Sequence, residues 1–249
     1  MKTKMIMLLV FGFFFIACKE SKPKELSADE IVNKAIEKAG GEKYNNLDFS
    51  FKFRDKEYFV KRKDGLFEYS RVQLDSLNRK IIDKLDNNGL VRTIDGEVQK
   101  LEKKKSDAYA ESVNSVVYFA LLPHGLNDKA VNKTLLGVTE IGDNQYFKIK
   151  VTFAKEGGGT DYEDEYIYYI DNQQYKVSYL SYNFKVNDGG SRFRKAVNER
   201  VSNGIRFVDY LNYKPKIKTL DIQDFDQKFQ NGELELVSRI KMENIQFYE

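Results

Sequence analysis

The chain has 249 residues, with 41 lysines and arginines against 38 aspartates and glutamates, a single histidine and a formal net charge of +3. So even a balance excludes the concentrated basic face that nucleic acid demands, and attachment to a surface by charge alone. Aromatic residues are 14% without tryptophan, enough for one sizeable core that buries roughly 70% of the unfolded surface, while one cysteine excludes an internal disulfide framework.

Residues 1–17 read as an export signal. Lys2 and Lys4 precede an apolar run over residues 5–15, then Ile16 and the small Ala17 stand immediately before Cys18. A run of about a dozen apolar residues is too short for a transmembrane span, which needs roughly 20. Phe15-Ile16-Ala17-Cys18 resembles the lipobox of bacterial lipoproteins, with phenylalanine where leucine is usual. The resemblance implies cleavage before Cys18 and acylation of its thiol and amine, which makes a membrane the partner. An ordinary secretory signal with an incidental cysteine is the alternative. Loss of Lys2 and Lys4 leaves 39 basic residues against 38 acids, and residues 18–26, polar with Pro23, form a tether.

Ser27 and Glu30 have the spacing of a capping box, with Leu26 and Ile31 as its hydrophobic staple. Ile31, Val32, Ala35, Ile36 and Ala39 then form one apolar helical face, and Gly40-Gly41 ends it. From Leu47 the period becomes two: Phe49, Phe51 and Phe53 alternate with Ser50, Lys52 and Arg54, the mark of a half-buried strand. Strands follow over residues 58–63, 66–74, 80–85 and 90–94, punctuated by Asp64-Gly65, Asn87-Asn88-Gly89 and Asp95-Gly96, which supply the positive φ of tight hairpins.

A central helix over residues 106–122 carries Tyr109, Val113, Val116, Val117, Ala120 and Leu121 at helical spacing and stops at Pro123. Its second half is apolar nearly all round, so it is buried on several sides or lines a greasy space. A shorter helical segment is expected over residues 128–135. Strands resume with Phe147, Ile149, Val151 and Phe153 alternating against polar neighbours, then residues 162–170, 175–184, 192–201 and 205–213, joined by Asn187-Asp188-Gly189-Gly190 and Asn203-Gly204. A helical turn near residues 222–229 leads to a last strand over 234–247.

Hairpins without strand–helix alternation make the fold class α+β: one large antiparallel sheet of roughly ten strands. So many twisted strands curl. The expectation for residues 27–249 is a single half-barrel domain, with the N-terminal helix and the central helical insertion covering its concave face.

This order of elements, with a lipidated start, is similar to the half-barrel of periplasmic lipoprotein carriers and outer-membrane lipoprotein acceptors. Three stretches carry a closer resemblance, to an uncharacterised family of Gram-negative envelope lipoproteins: Tyr118-Phe119-Ala120-Leu121-Leu122-Pro123, Val151-Thr152-Phe153 before Gly157-Gly158-Gly159, and Asn203-Gly204-Ile205-Arg206-Phe207-Val208-Asp209-Tyr210. Some members of that family carry a deoxyribose-phosphate aldolase label, an activity that needs an eight-fold strand–helix barrel and a Schiff-base lysine. Hairpins stand here instead. The half-barrel resemblance implies an acyl-chain-like or other hydrophobic ligand between sheet and helices, against the apolar faces of Phe49, Phe51, Phe53, Val113, Val117, Leu121, Phe147, Ile149, Val151, Phe153, Ile205 and Phe207. It also implies a place in the cell envelope, with the outer membrane favoured for the anchor.

Catalytic readings rank lower. His124, in Pro123-His124-Gly125, has no nucleophile signature beside it, and one histidine, with the cysteine acylated as the lipobox resemblance implies, argues against a zinc or copper site. Gly157-Gly158-Gly159 opens a strand without the Lys-Ser/Thr ending of a phosphate loop. Asp161, Glu163, Asp164 and Glu165 are oxygen-rich, but alternate carboxylates on a strand point to opposite faces, so they read as a solvated edge rather than a calcium site. No cofactor is implied. A lipid-anchored carrier therefore ranks first, a structural or interaction lipoprotein recognising a protein or glycan second, and a hydrolase third.

Overall fold

The computed structural model describes residues 25–157, 162–185 and 188–248. The export signal and Cys18 lie outside the described residues, as do Gly158, Gly159, Asp161 and Asn187.

Helix α1 (Ala28–Ala39) starts on the expected capping box: the Glu30 amide donates to Ser27 Oγ at 3.2 Å, and the Ser27 amide donates to Glu30 Oε2 at 2.8 Å. Two backbone donors are thereby satisfied at the helix start. At its end, a Cβ on Gly40 would lie 2.6 Å from Ile205 Cδ1, so the missing side chain is what lets the helix terminus meet that residue.

A meander follows, of β1 (Leu47–Phe53), β2 (Lys56–Lys63), β3 (Leu66–Leu74), β4 (Lys80–Asp86), β5 (Gly89–Ile94) and the short β6 (Glu97–Val98). Asp64-Gly65, Asp95-Gly96 and Asn203-Gly204 all hold positive φ at both residues, as two-residue hairpin turns require. Helix α2 (Lys103–Ala120) and a 3-10 turn (His124–Asn127) lead to β7 (Val131–Ile141), β8 (Asn144–Phe153), β9 (Tyr166–Asp171), β10 (Val177–Phe184), β11 (Gly190–Ser202) and β12 (Ile205–Pro215). Then come α3 (Phe225–Gln230), β13 (Leu234–Ile240) and β14 (Glu243–Phe247).

The architecture is mostly antiparallel sheet, as expected, but the described strands form two sheets of seven rather than one of roughly ten. Their orders are β14-β1-β2-β3-β4-β5-β6 and β13-β12-β11-β10-β9-β8-β7, and neither closes into a barrel. The division falls at Lys241-Met242 within the C-terminal run: β13 pairs with β12 as far as Tyr210 opposite Ile240, and β14 pairs with β1 from Lys52 opposite Glu243. One stretch of chain thus forms the edge of both sheets.

The helical segment expected over residues 128–135 is instead the start of β7. It pairs with β8 from Val131 opposite Phe153 to Ile141 opposite Asn144, with a bulge between Leu135 and Gly137. β-branched Val131, Thr134, Val138, Thr139 and Ile141 suit a pleated strand, and the open edge of β8 outweighs the helix-like spacing of Val131 and Leu135.

Three apolar clusters hold the elements together. The first gathers Phe49, Phe51, Tyr58, Val60 and Tyr69 under Val113 and Val117 of α2 and Leu121 just after it. The second packs Ile31, Val32 and Ala35 of α1 against Ile149, Val151, Tyr168, Ile170 and Leu180. The third lies on the opposite face of the second sheet, where Ile222 and Phe225 cover Ile167, Tyr169, Tyr179 and Phe193. That sheet is covered on both faces, which explains why Ile167, Tyr168, Tyr169 and Ile170 are buried in succession. Each fully buried ring or branched chain is worth about 1.5–3 kcal/mol.

Candidate functional site

A cavity of about 420 Å³ lies where the second half of α2 passes between β1 and strands β9–β13. Ligand sites run from about 300 to 1,000 Å³. Phe51 and Phe53 of β1, Val116, Phe119 and Ala120 of α2, Tyr166 and Tyr182 of β9 and β10, and Val208, Tyr210, Ile240 and Met242 give it apolar walls. The rings are ordered by contact: Tyr166 stacks on Tyr182 with centroids 5.3 Å apart, and Phe119 lies 5.7 Å from Tyr182.

The cavity also has a polar side, and strand register builds it. Arg194 of β11 stands opposite Asn212 of β12, which stands opposite Ser238 of β13, and all three line the space. Asn212 Nδ2 donates to Ser238 Oγ at 3.1 Å. Arg194, 9% exposed, has its guanidinium carbon 4.0 Å from the Phe119 ring centre, and its Nη2 donates to the Tyr182 hydroxyl at 2.7 Å. Arg54, Arg192 and Asp164 complete the charged lining. Burial, with the Asp164 carboxylate adding to it, pushes the Tyr166 phenol well above its usual range, and burial raises Tyr210 as well. Both phenols therefore stay protonated.

A family profile covers residues 2–243 of the sequence. The chain belongs to DUF6503, a family of unknown function. No curated protein matches it. Among solved structures, this DUF6503 chain is similar to a LolA superfamily protein from Nitrosomonas europaea, with 11% identity, 90% of this chain and 95% of that one covered, and a TM-score of 0.51. It is also similar to a DUF1329 family protein from Desulfovibrio piger, with 11% identity, 89% and 93% covered, and a TM-score of 0.53. At such identities the likeness is one of fold. No described helix is long and apolar enough to cross a membrane.

Of the residues expected to face a ligand in this DUF6503 protein, Phe51 and Phe53 line the cavity. Phe49, Val113, Val117, Leu121, Ile205 and Phe207 lie in the first apolar cluster, Ile149 and Val151 in the second, and Phe147 and Phe153 are partly buried at its margin. The division is steric. Helix α1 and the chain around Leu122 and Leu126 fill the face of β8–β10, whereas α2 leaves space beside β11–β13. Val116, Phe119 and Ala120 have a signal in the sequence, the all-round apolar second half of the central helix. Arg194 and Asn212 have none, because polar residues on a strand read as solvent-facing.

The acidic run after the triple glycine is not uniformly solvated. Glu163 pairs with Lys185 at 3.0 Å and Glu165 with Lys150 at 2.7 Å, both partly exposed, but Asp164 is 6% exposed and lines the cavity.

His124 lies in the 3-10 turn, its ring stacked on Tyr44 with centroids 4.7 Å apart. Burial, reinforced by the charge of Arg62, pushes its pKa from 6.5 down to about 4. Between those values the unfolded chain takes up a proton that the folded chain refuses, so acidification through this window favours unfolding. With the residual solvent exposure allowed for, the effect is about 1–2 kcal/mol. The thermal midpoint should fall between pH 7 and pH 4.5, and His124→Phe, which keeps a ring against Tyr44, should flatten that slope. An identical slope in the variant places the acid sensitivity elsewhere.

Proposed function

We propose that this DUF6503 protein is a lipid-anchored protein of the cell envelope that binds or carries a hydrophobic, acyl-chain-like ligand in the cavity beside α2. In this reading Cys18 is acylated and attaches the chain to a bacterial membrane, the outer one by preference, while residues 27–249 work as one half-barrel in which both sheets curl around α1 and α2. The observation that carries the reading is the ring-walled cavity of about 420 Å³. Apolar surface of that extent facing water is unfavourable, and an alkyl chain removes it from water at about 0.8 kcal/mol per buried methylene. The resemblance to lipoprotein carriers points the same way.

The test uses the full chain carrying Cys18→Ser, so that no covalent acyl group enters the mass, purified from a lipid-containing host and measured by native mass spectrometry with lipid extraction. Co-purifying acyl species should appear, and Ala120→Trp, which fills the cavity from α2, should reduce them at least tenfold. A clean apo mass with no uptake of added lipid would shift the assignment to an interaction lipoprotein whose outer surface recognises a protein or glycan.

A further inference from the structure

The lining of the cavity is not neutral. Three arginines, Arg54, Arg192 and Arg194, face it against one carboxylate, Asp164. Arg194 is the deepest of them, 9% exposed, and its neighbours are the Phe119, Tyr182 and Tyr210 rings and a phenol hydroxyl rather than a paired acid. Among the described residues its Nε, shut away from solvent, has no hydrogen-bond acceptor, and Asn212 Oδ1 likewise has no donor. Leaving a charged donor unsatisfied away from water costs more than leaving a neutral one. Rings around a guanidinium stabilise the cation but do not accept its N–H groups in the plane. A guanidinium that lines the cavity with no acid paired to it among the described residues calls for an anion with oxygen acceptors, placed against an otherwise greasy wall.

We propose that the cavity takes a single-chain amphiphile with an acidic head, carboxylate or phosphate, whose alkyl chain lies along Phe119, Tyr166 and Tyr182 and whose oxygens accept from Arg194. The inference rests on the hydrophobic-ligand reading above and deepens it by naming the head group. An arginine fork suits either acid, since it donates two parallel hydrogen bonds to a planar or tetrahedral oxyanion.

Equilibrium dialysis at pH 8 of the full chain carrying Cys18→Ser, with palmitate, hexadecyl phosphate and hexadecanol as probes, tests it. At least one acid should bind roughly 10- to 100-fold more tightly than hexadecanol, the range for a hydrogen bond to a buried charge; which acid binds better assigns the head as carboxylate or phosphate. Arg194→Gln should abolish that preference while hexadecanol binding persists, and Arg194→Lys should restore part of it. Equal binding of all three probes by the chain with Arg194 intact overturns the acidic head and leaves the hydrophobic-ligand reading standing. Binding of none of them overturns both. The comparison of probes on the unsubstituted cavity decides the matter even if an Arg194 variant does not fold.

Discussion

Replacing Asp83 by alanine should lower the unfolding free energy by about 3–5 kcal/mol. Asp83 is fully buried in β4 and accepts from two arginines: Arg71 Nε and Nη2 at 3.1 and 2.7 Å, and Arg92 Nε and Nη2 at 2.6 and 2.9 Å. Burial by itself raises a carboxyl pKa, but here the hydrogen bonds from Arg92 and Arg71 prevail and hold Asp83 below its usual value. Its contribution is therefore complete above pH 4 and is lost as pH falls through the lowered folded pKa.

Removing the carboxylate strands two guanidiniums, of which Arg71 is 5% exposed. Those arginines also hold α2. Arg71 Nη1 donates to Ser112 Oγ at 2.7 Å, and Arg92 lies 3.4 Å from the Tyr109 ring centre. Loss of Asp83 should loosen α2, and with it one wall of the cavity. An exposed pair such as Lys103–Asp107, 88% and 44% exposed, contributes about 0–1 kcal/mol by comparison. Urea denaturation of Asp83→Ala alongside Asp107→Ala measures the contrast; losses of similar size in the two variants would refute the argument.

Phe225→Ala should cost a further class of stability, about 3–5 kcal/mol, by opening the outer face of the second sheet. Helix α3 has six residues, too few to persist by itself. Phe225 is fully buried against the face made by Ile167, Tyr169 and Phe193. The neighbouring Asp226, 1% exposed, accepts from Thr139 Oγ1 at 2.6 Å and pairs with Lys148 at 3.2 Å, while Lys148 also donates to the Gln223 carbonyl. The polar clamp fixes position, and the ring supplies the apolar burial. Hydrogen exchange should therefore accelerate at α3, and at Tyr169 and Phe193, before the α1 side of the same sheet responds. Unchanged protection at α3 in the variant would mean that the clamp alone holds it.

Much of the fold was legible because local chemistry decided it. Ser27 with Glu30 caps a helix wherever the chain places it, and Asp64-Gly65, Asp95-Gly96 and Asn203-Gly204 turn because they tolerate positive φ. Phe49, Phe51 and Phe53 alternate in β1 as read, since one face of that strand meets a core and the other does not. Residues 128–135 misled because Val131 and Leu135 fit helical spacing, while the edge of β8 that recruits them comes from residues 144–153.

The cavity lay further from view. In β11, Phe193 between Arg192 and Arg194 reads as an inward ring between two outward charges. In the folded chain the ring faces α3 on the outer side and the arginines line the cavity. Alternation fixes that successive side chains oppose one another, but not which side is wet. The sequence by itself determined the start of α1, the hairpins, the antiparallel class and the near-neutral charge, each set by residues within a few positions of one another, whereas α2 begins at Lys103 rather than at residue 106 and α3 at Phe225 rather than near 222. Tertiary structure alone decided which face of each strand is inner, where the sheet divides and where space remains, because those depend on α2 and α3 docking against strands far away in the chain.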